Sequence, residues 1–420
     1  MSVSGDASAF LAQIQAHFAP QAPEILGVAV SGGSDSLALL VLLADWRRAG
    51  GPDLCAVTVD HGLRPEAADE AARVARICAD LGLPHDVLKW TGWDGRGNLQ
   101  DRARRARYEL MAEWAQAKGL THVALGHTAD DQAETFLMRL AREAGVDGLA
   151  AMAPCRVTAG IVFCRPLLVV TRAALRAELR ARNVGWSDDP SNEDTAYERV
   201  RARAVLAELA PLGITQEGLS RVARRLGDVR ETLYTYASQA ARDLVEVQTG
   251  DLVINPAGLA ALPPEVARRL LLGALDWISG AGYGPRGRAM DDLMQAIGEG
   301  RDMTLHGCLI CPRKSGVRIT REWKAVEGLR VPSAEVWDGR WRIEGPDCPP
   351  GTEIAALGPE GLTACDERAQ CGLPAASLMA SPALWQGADL LAAPLVQPGG
   401  PWHARLIRDE EAYLASYLSH

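Results

Sequence analysis

The stretch ILGVAVSGGSDS, residues 25–36, decides the fold of this chain. Its first six residues are apolar or glycine and match a buried strand. The hexapeptide SGGSDS follows, and an apolar helix pattern then runs from residue 37 to about residue 48. A strand that passes through glycines directly into a helix is typical of the first unit of a parallel α/β sheet.

The same alternation continues along the first half of the chain. Strand patterns recur at residues 54–59, 86–89, 121–125 and 162–170, with helix patterns at 66–82, 98–118 and 129–143. Strands separated by helices of this length predict βαβ units, and we therefore predict an α/β fold with a parallel sheet. Thr171 is placed to cap the helix that follows the last of these strands.

Length predicts more than one domain, because 420 residues exceed the roughly 100–200 residues of an ordinary domain. We predict an α/β catalytic domain at residues 1–210. A mostly helical domain with a hairpin near residues 304–320 is expected at 211–328. Glycine and proline become frequent after residue 331, which predicts a small β-rich C-terminal domain at 329–420.

Composition excludes several classes of protein. With 48% hydrophobic and 23% charged residues, the chain does not match disordered or coiled-coil proteins. The longest apolar run, at residues 37–44, is far shorter than the ~20 residues of a membrane span, and no signal peptide is visible. Nine cysteines, an odd number, indicate reduced thiols in a cytoplasmic protein. The net charge of −9 argues against general adhesion to nucleic acid but allows a local basic face.

The SGGSDS segment predicts a phosphate site. Glycines let a phosphate approach backbone N–H groups at a helix N-terminus, and serine hydroxyls add donors. A carboxylate at position 35 fits such a cradle when Mg²⁺ joins it to the phosphates. The chain has no Gly-Lys dipeptide and hence no Walker A loop. A plain glycine turn that caps a core helix is the alternative. The predicted phosphate-binding residues are Ser31, Gly32, Gly33, Ser34, Asp35 and Ser36.

A second polar cluster, GHTADDQAET at residues 126–135, lies where a strand runs into a helix. Ligands of open α/β sheets collect at this edge. Asp131 and Glu134 are three residues apart, so their carboxylates share one helical face. Such a pair suits the ammonium group of a substrate or a metal ion. The alternative is a capping box in which Thr128 caps the helix.

Two further features are weaker. A predicted turn at residues 188–192 precedes a helix that carries Arg199, Arg201 and Arg203, which helical spacing spreads around the axis. A C-x-x-C segment at 308–311 lies in a strand pattern, where residues i and i+3 point to opposite faces. Metal binding by that segment is therefore disfavoured.

The SGGSDS segment matches the PP-loop of the N-type ATP pyrophosphatases, which cleave ATP between its α and β phosphates. Five segments, taken in order, resemble the tRNA(Ile)-lysidine synthetase family. They read SGGSDS at 31–36, VDHGLR at 59–64, ARRARY at 103–108, GHTADDQAET at 126–135 and DPSN at 189–192. The resemblance implies that residues 1–210 form a PP-loop ATPase domain, similar to the adenine nucleotide alpha hydrolases.

The resemblance also implies an activity. Such a ligase uses ATP and Mg²⁺ to adenylate the C2 oxygen of the wobble cytidine of tRNA(Ile) with a CAU anticodon. The ε-amine of L-lysine then displaces AMP. SGGSDS would bind the pyrophosphate part of ATP, with Asp35 near Mg²⁺.

The remaining roles follow from the same resemblance, residue by residue. Arg104 and Arg107 would neutralise phosphate charge or stabilise the adenylated intermediate, and Asp131 with Glu134 would hold lysine. His61 and His127 would lie at the edge of the site or be buried histidines. The three arginines at 199, 201 and 203 would contact tRNA or form a solvated helix face, and residues 329–420 are a further candidate for tRNA contact.

The chain departs from the family pattern at two places. It reads RVRAR at 199–203 where the family has R-N-x-I-R, and REAG at 142–145 where the family has R-G-S-G. Three alternatives stay open. A tRNA 2-thiocytidine synthetase would place cysteines near the nucleotide, but Cys55 and Cys78 form no C-x-x-C. A tRNA-binding protein would carry a vestigial ATP site. A small-molecule ligase such as an NAD or GMP synthetase differs in the motifs after the loop.

Overall fold

The computed structural model describes residues 7–62, 67–91, 93, 99–187, 198–281, 284–285, 287–365 and 371–417. The chain forms two compact units, Met1–Arg230 and Glu231–His420, and the boundary lies within one long helix. The predicted three-domain division stays a prediction. Among the described residues, no helix is both long and apolar enough to cross a membrane.

The first unit is built on a six-stranded sheet. Its strands are β1 (Ile25–Ala29), β2 (Asp53–Asp60), β3 (His85–Lys89), β4 (His122–Leu125), β5 (Cys155–Thr158) and β6 (Ile161–Cys164). They lie in the order β3-β2-β1-β4-β6-β5. The pairs among β3, β2, β1, β4 and β6 are parallel, which confirms the predicted α/β fold. β5 pairs antiparallel to β6 at the edge and was not predicted.

Helices cover this sheet. They are α1 (Ala7–Phe18), α2 (Ser34–Arg48), α3 (Ala67–Asp80), α4 (Leu99–Ala117), α5 (Ala129–Leu140), α6 (Val146–Leu149), α7 (Arg172–Ala181) and α8 (Glu198–Leu209). One face of the sheet packs against α1, α2 and α7 through side chains such as Phe10 and Leu40. The other face packs against α4, where Tyr108 contacts the Phe163 ring edge-on. Both faces are buried, which explains why β1 is apolar throughout.

The predicted strand at 162–170 is wrong in its length. β6 ends at Cys164, and Pro166 follows two residues later. Proline has no N–H to donate to the neighbouring strand, so the ladder stops there and a turn forms. Thr171 caps α7 as predicted, and its side chain accepts a hydrogen bond from the Ala174 N–H.

The second unit begins in α9 (Gln216–Leu244), which crosses from one unit into the other. A five-stranded sheet follows, of β7 (Val245–Gln248), β8 (Asp251–Ile254), β9 (Met303–Leu305), β10 (Cys308–Arg313) and β11 (Gly316–Arg321), in the order β7-β8-β11-β10-β9. The predicted hairpin is β10–β11. Three helices accompany it: α10 (Pro256–Ala261), α11 (Pro264–Ser279) and α12 (Gly287–Gly298).

The predicted β-rich C-terminal region is confirmed. It holds β12 (Arg330–Pro332), β13 (Trp341–Glu344), β14 (Thr352–Ala356), β15 (Pro382–Gln386), β16 (Asp389–Ala392) and β17 (His403–Leu406), with short helices α13 (Trp323–Val326), α14 (Gly358–Ala364), α15 (Ala375–Met379) and α16 (Glu410–Ser416). Tyr413 and Tyr417, in and after α16, pack into the same core as α11. The hydroxyl of Tyr417 donates to the Leu270 carbonyl at 2.9 Å.

Candidate functional site

The SGGSDS segment forms a loop at the carboxyl end of β1. Gly32 has a φ of +84°, a left-handed conformation that side chains other than glycine rarely adopt. The Ser31 N–H donates to Ser36 Oγ at 3.1 Å, and that hydroxyl donates to the Gly33 carbonyl at 3.1 Å. α2 begins at Ser34, and among the described residues no side chain caps it. Its first N–H groups are therefore available to an anion.

The end of β4 lies directly against this loop. A Cβ atom built on Gly126 would be 2.8 Å from the backbone N and Cα of Ser36, closer than real Cβ atoms approach. A glycine at 126 therefore lets the two motifs SGGSDS and GHTADDQAET meet. The sequence prediction that both lie at one edge of the sheet is confirmed by this contact.

Asp35 faces the start of α7. Its Oδ2 accepts a hydrogen bond from Arg172 Nε at 2.8 Å, and its Oδ1 accepts one from the Ser34 hydroxyl at 3.1 Å. Burial raises the pKa of Asp35, and this outweighs the opposite effect of Arg172. Arg176, one turn further along α7, donates from Nε to Ser34 Oγ at 3.2 Å. The loop is thus held by two arginines of one helix.

The two acids of α5 are buried on one helical face, with Asp131 6% and Glu134 1% exposed. Asp131 Oδ2 accepts hydrogen bonds from the backbone N and the hydroxyl of Thr128, both at 2.9 Å. This is the capping box that the sequence offered as an alternative. The other oxygen, Oδ1, lies 3.5 Å from Arg172 Nη2 and 3.9 Å from Arg199 Nη1. Asp131 therefore caps the helix with one oxygen and faces the site with the other.

The acids differ in their ionisation. Burial opposes ionisation of Asp131, but Arg172 and the hydrogen bond from the Thr128 backbone hold its pKa below the usual range. Burial raises the pKa of Glu134 even though Arg203 Nε donates to its Oε1 at 2.5 Å. The pair thus consists of one firmly ionised carboxylate and one that holds a proton more readily.

Arg172 is the functional residue that sequence reasoning missed. Its guanidinium reaches Asp35 at 2.8 Å, Asp131 at 3.5 Å and Glu134 at 3.7 Å. Its backbone N–H donates to Asp130 Oδ2 at 2.8 Å, which fixes the start of α7 against α5. The available signal was the cap at Thr171, because it places the next residue on the first turn of a helix at the ligand edge of the sheet.

The arginines of α8 divide between two environments. Arg199 and Arg203 are four residues apart and lie on one face, where they contact Asp131 and Glu134. Arg201 is exposed. The predicted spread around the axis is confirmed for Arg201, but two of the three arginines neutralise the buried acids. Contact with tRNA stays a prediction for all three.

A second group of cations lies at α4. The guanidinium carbons of Arg104 and Arg107 are each 5.6 Å from the centroid of the Tyr108 ring. Arg165 is buried and donates from Nη2 to the Tyr108 hydroxyl at 3.4 Å. Arg104 is exposed and Arg107 is half-buried, so this group faces solvent on one side. Arg165, which the sequence did not single out, thus joins the two predicted arginines.

Both predicted histidines are neutral. Burial lowers the pKa of His127 to about 3, and Arg165 and Arg107 contribute to the shift. Burial and Arg107 also lower the pKa of His61. The Nδ1 atom of each is buried without a hydrogen-bond partner among the described residues. Neither residue is therefore a core histidine with both ring nitrogens hydrogen-bonded, which was the alternative that the sequence allowed.

Other predicted features are placed as follows. Residues 63–64 of the VDHGLR segment and the DPSN segment lie outside the described residues. In the REAG segment, Glu143 has a left-handed φ of 56° after the end of α5, at the position where the family pattern has glycine. Cys308 and Cys311 of the C-x-x-C lie on β10, with Cys308 buried and Cys311 half-buried.

Comparison with known proteins agrees with this geometry. A family model described as the PP-loop domain matches residues 7–210. The chain is 53% identical to the tRNA(Ile)-lysidine synthase of Ruegeria pomeroyi (strain ATCC 700808 / DSM 15171 / DSS-3) over 407 residues, 97% of each chain. The chain belongs to the tRNA(Ile)-lysidine synthase family. The synthase of Brucella canis (strain ATCC 23365 / NCTC 10854 / RM-666) is 37% identical over 399 residues, 89% of this chain and 86% of that one.

A solved structure, the U34-tRNA thiolase NcsA from Methanococcus maripaludis, matches 52% of this chain and 78% of its own, with a TM-score of 0.46 and 14% identity. A likeness that distant adds nothing to the assignment.

Proposed function

We propose that this chain is a tRNA(Ile)-lysidine synthase that joins L-lysine to the wobble cytidine of tRNA(Ile) with a CAU anticodon. The C2 oxygen of the cytidine attacks the α-phosphorus of ATP, and pyrophosphate leaves. The ε-amine of lysine then attacks C2, and AMP leaves with that oxygen. The observation that carries the proposal is the meeting of Asp35, Asp131 and Glu134 around Arg172, which puts a phosphate loop and a buried acid pair in one site.

The loop supports ATP binding. The left-handed Gly32 and the uncapped start of α2 present N–H groups to the pyrophosphate part of ATP. Ser34 and Ser36 add hydroxyl groups at the first turn of the helix. Gly126 leaves the loop room that a larger residue would fill.

Asp35 is the residue that would hold Mg²⁺, a cation that neutralises phosphate charge when bound. Its fit rests on position and chemistry, because a half-buried carboxylate beside the phosphate loop is a hard oxygen ligand. In the protein without ligands, the positive charge beside Asp35 is that of Arg172. We propose that Arg172 stays near the acids of α5 when ATP and Mg²⁺ bind.

Asp131 and Glu134 support lysine binding. A lysine amine attacks only in its neutral form, which is scarce at neutral pH given an ordinary pKa of about 10.4. Glu134 has its pKa raised by burial, so it is suited to accept the proton that the amine must lose. Asp131, which stays ionised, is suited to hold the ammonium form as lysine enters.

The second group of cations supports the other half of the reaction. Arg104, Arg107 and Arg165 converge on Tyr108 beside the neutral His127. Charge develops on the α-phosphoryl group during adenylation and again when AMP leaves. Fixed guanidinium groups stabilise such charge, most strongly where water is excluded, as at the buried Arg165. A neutral imidazole adds a hydrogen-bond donor without competing for protons at pH 7.

The test uses an unmodified tRNA(Ile) transcript with a CAU anticodon, the full chain, ATP, Mg²⁺ and lysine. Mass spectrometry of the nucleosides should show lysidine in place of one cytidine. The product should vanish without lysine, with Asp35→Ala, and with a transcript whose wobble base is uridine.

The outcomes separate the alternatives. Release of AMP and pyrophosphate with an unchanged cytidine would favour thiolation, and no ATP turnover would favour a binding protein with a vestigial site. Thiolation is also disfavoured by Cys78, because burial raises the pKa of that thiol to about 11. The cytoplasm is the expected location, since the tRNA substrate is there. No oligomeric state is predicted.

A further inference from the structure

A cluster of three metal-binding side chains lies on the first unit outside the residues assigned to ATP and lysine. It consists of His17 on α1, Cys155 at the start of β5 and Cys164 at the end of β6. Cys155 and Cys164 are directly opposed partners of the antiparallel pair. No sequence pattern links these residues, because His17 and Cys155 are 138 positions apart.

Two of the three separations in this cluster are close to those of a tetrahedral zinc site. Cys155 Sγ lies 3.5 Å from His17 Nε2 and 3.4 Å from Cys164 Sγ, and the three ligand atoms lie within 4.8 Å of one another. Zn–S bonds of about 2.3 Å and Zn–N bonds of about 2.0 Å at a tetrahedral angle place sulfur about 3.5 Å from nitrogen and about 3.8 Å from a second sulfur. The three side chains are therefore near enough to share one ion.

We propose that His17, Cys155 and Cys164 bind a zinc ion that ties α1 to the edge of the sheet. Two thiolates and one imidazole are the soft and borderline ligands that zinc prefers to magnesium or calcium. Cys155 is exposed, so an ion can enter from solvent and water can complete the fourth position. Cys164 is 1% exposed, so its sulfur would bind the ion from the buried side.

Proton release would accompany metal binding in this cluster. Thiolates, not thiols, are metal ligands, so zinc binding by two cysteines displaces their protons.

The site also lies next to the proposed active site along the chain. Cys164 packs on the α1 side of the sheet, and the next residue, Arg165, contacts Tyr108 on the α4 side. An ion bound to Cys164 would fix the end of β6 and hence the origin of the Arg165 side chain. The proposal goes beyond the lysidine reaction, and its test does not depend on that activity.

The experiment titrates the reduced, chelator-treated full chain with Co²⁺ and follows the sulfur-to-cobalt charge-transfer band. We expect one equivalent of Co²⁺, displacement by Zn²⁺, and a higher unfolding temperature with Zn²⁺. Cys155→Ser and His17→Gln should each weaken binding about a hundredfold, as loss of one of the protein ligands predicts. Cys55→Ser, a half-buried thiol in β2, is the matched control and should bind as the unchanged chain does.

Three results would overturn the proposal. The first is no charge-transfer band while all thiols react with a thiol reagent. The second is equal affinity in His17→Gln and the unchanged chain, with circular dichroism showing both folded. The third is a purified chain whose mass is lower by two hydrogens and whose count of reactive thiols is lower by two. That result would mean that Cys155 and Cys164 form a cross-strand disulfide.

Discussion

At the residue scale, the main feature is one arginine that serves three buried or half-buried carboxylates. Arg172 contacts Asp35 of the SGGSDS segment and both Asp131 and Glu134 of α5. No local pattern links residues 35, 131 and 172, so sequence analysis identified the acids but not the arginine that contacts all of them. Asp131 and Glu134 were predictable because three-residue spacing sets them on one face of a helix.

Arg172→Gln should therefore destabilise the first unit. It leaves three carboxylates with less neutralising charge in a partly dry site, and since the arginine is itself partly exposed we expect a loss of about 2 kcal/mol, below the range for fully buried pairs. Adding Glu134→Gln should recover part of that loss. Arg176→Gln is the control on the same helix, since its contacts include a hydroxyl and the Trp186 ring. Urea unfolding of the full chain measures all four proteins, and equal effects at 172 and 176 would contradict the shared role.

A second prediction concerns pH. The folded chain keeps His127 neutral because its pKa is about 3, while the unfolded chain protonates this residue below about 6.5. Titration of His127 therefore leaves the free energy of unfolding unchanged above about pH 6.5 and lowers it at more acidic pH, by about 2 kcal/mol at pH 5. NMR of histidine-labelled protein, with His127→Gln to assign the signal, should show no titration of His127 between pH 8 and pH 5. A midpoint near pH 6.5 would rule out the buried, neutral state.

At the element scale, the order of strands and helices in the first unit was largely predictable. Hydrophobic runs of strand and helix length alternate there, and Thr171 signals a helix start. The errors came from tertiary or single-residue effects. β5 was not predicted because three of its four residues are exposed and its strand pattern is weak. β6 was predicted too long because the prediction did not take account of the missing N–H of Pro166.

Close packing of the β4 end against the phosphate loop gives a third prediction. Gly126→Ala would push a methyl group into the Ser36 backbone, so the loop must move. We expect ATP to bind at least about tenfold more weakly, since displaced N–H groups no longer converge on the phosphates. Gly145→Ala is the matched control, because nothing lies within 4 Å of a Cβ there. Calorimetric titration with ATP and Mg²⁺ gives the ratio, and unchanged affinity in Gly126→Ala would refute the role of this contact.

At the scale of the whole molecule, α16, the final helix among the described residues, packs into the core of the second unit. Tyr413 and Tyr417 are each 1% exposed in the core that contains α11, and their hydroxyl groups lie 2.8 Å apart. Gly273 of α11 makes room for the Tyr417 ring. The sequence placed these tyrosines in a separate C-terminal domain, because spacing along the chain does not reveal a return to an earlier core.

Truncation after Arg408 should therefore loosen the second unit selectively. Loss of two buried tyrosines removes packing worth several kcal/mol from the α11 core. Hydrogen–deuterium exchange should speed up in α11 and stay unchanged in α2. Tyr413→Phe, which keeps the ring and removes only a hydroxyl, should show a much smaller change. Equal exchange in α11 before and after truncation would show that α16 does not support this core.

The two oxygens of Asp131 have a consequence for redesign. One is committed to Thr128 and keeps the first turn of α5 in place, so any substitution aimed at a different amine would also unravel a helix start. Glu134 is 1% exposed and pairs with Arg203 and Arg172, so a substitution there would leave these arginines without a carboxylate partner. Redesign for a shorter or longer amine should therefore keep both acids and change the residues around them.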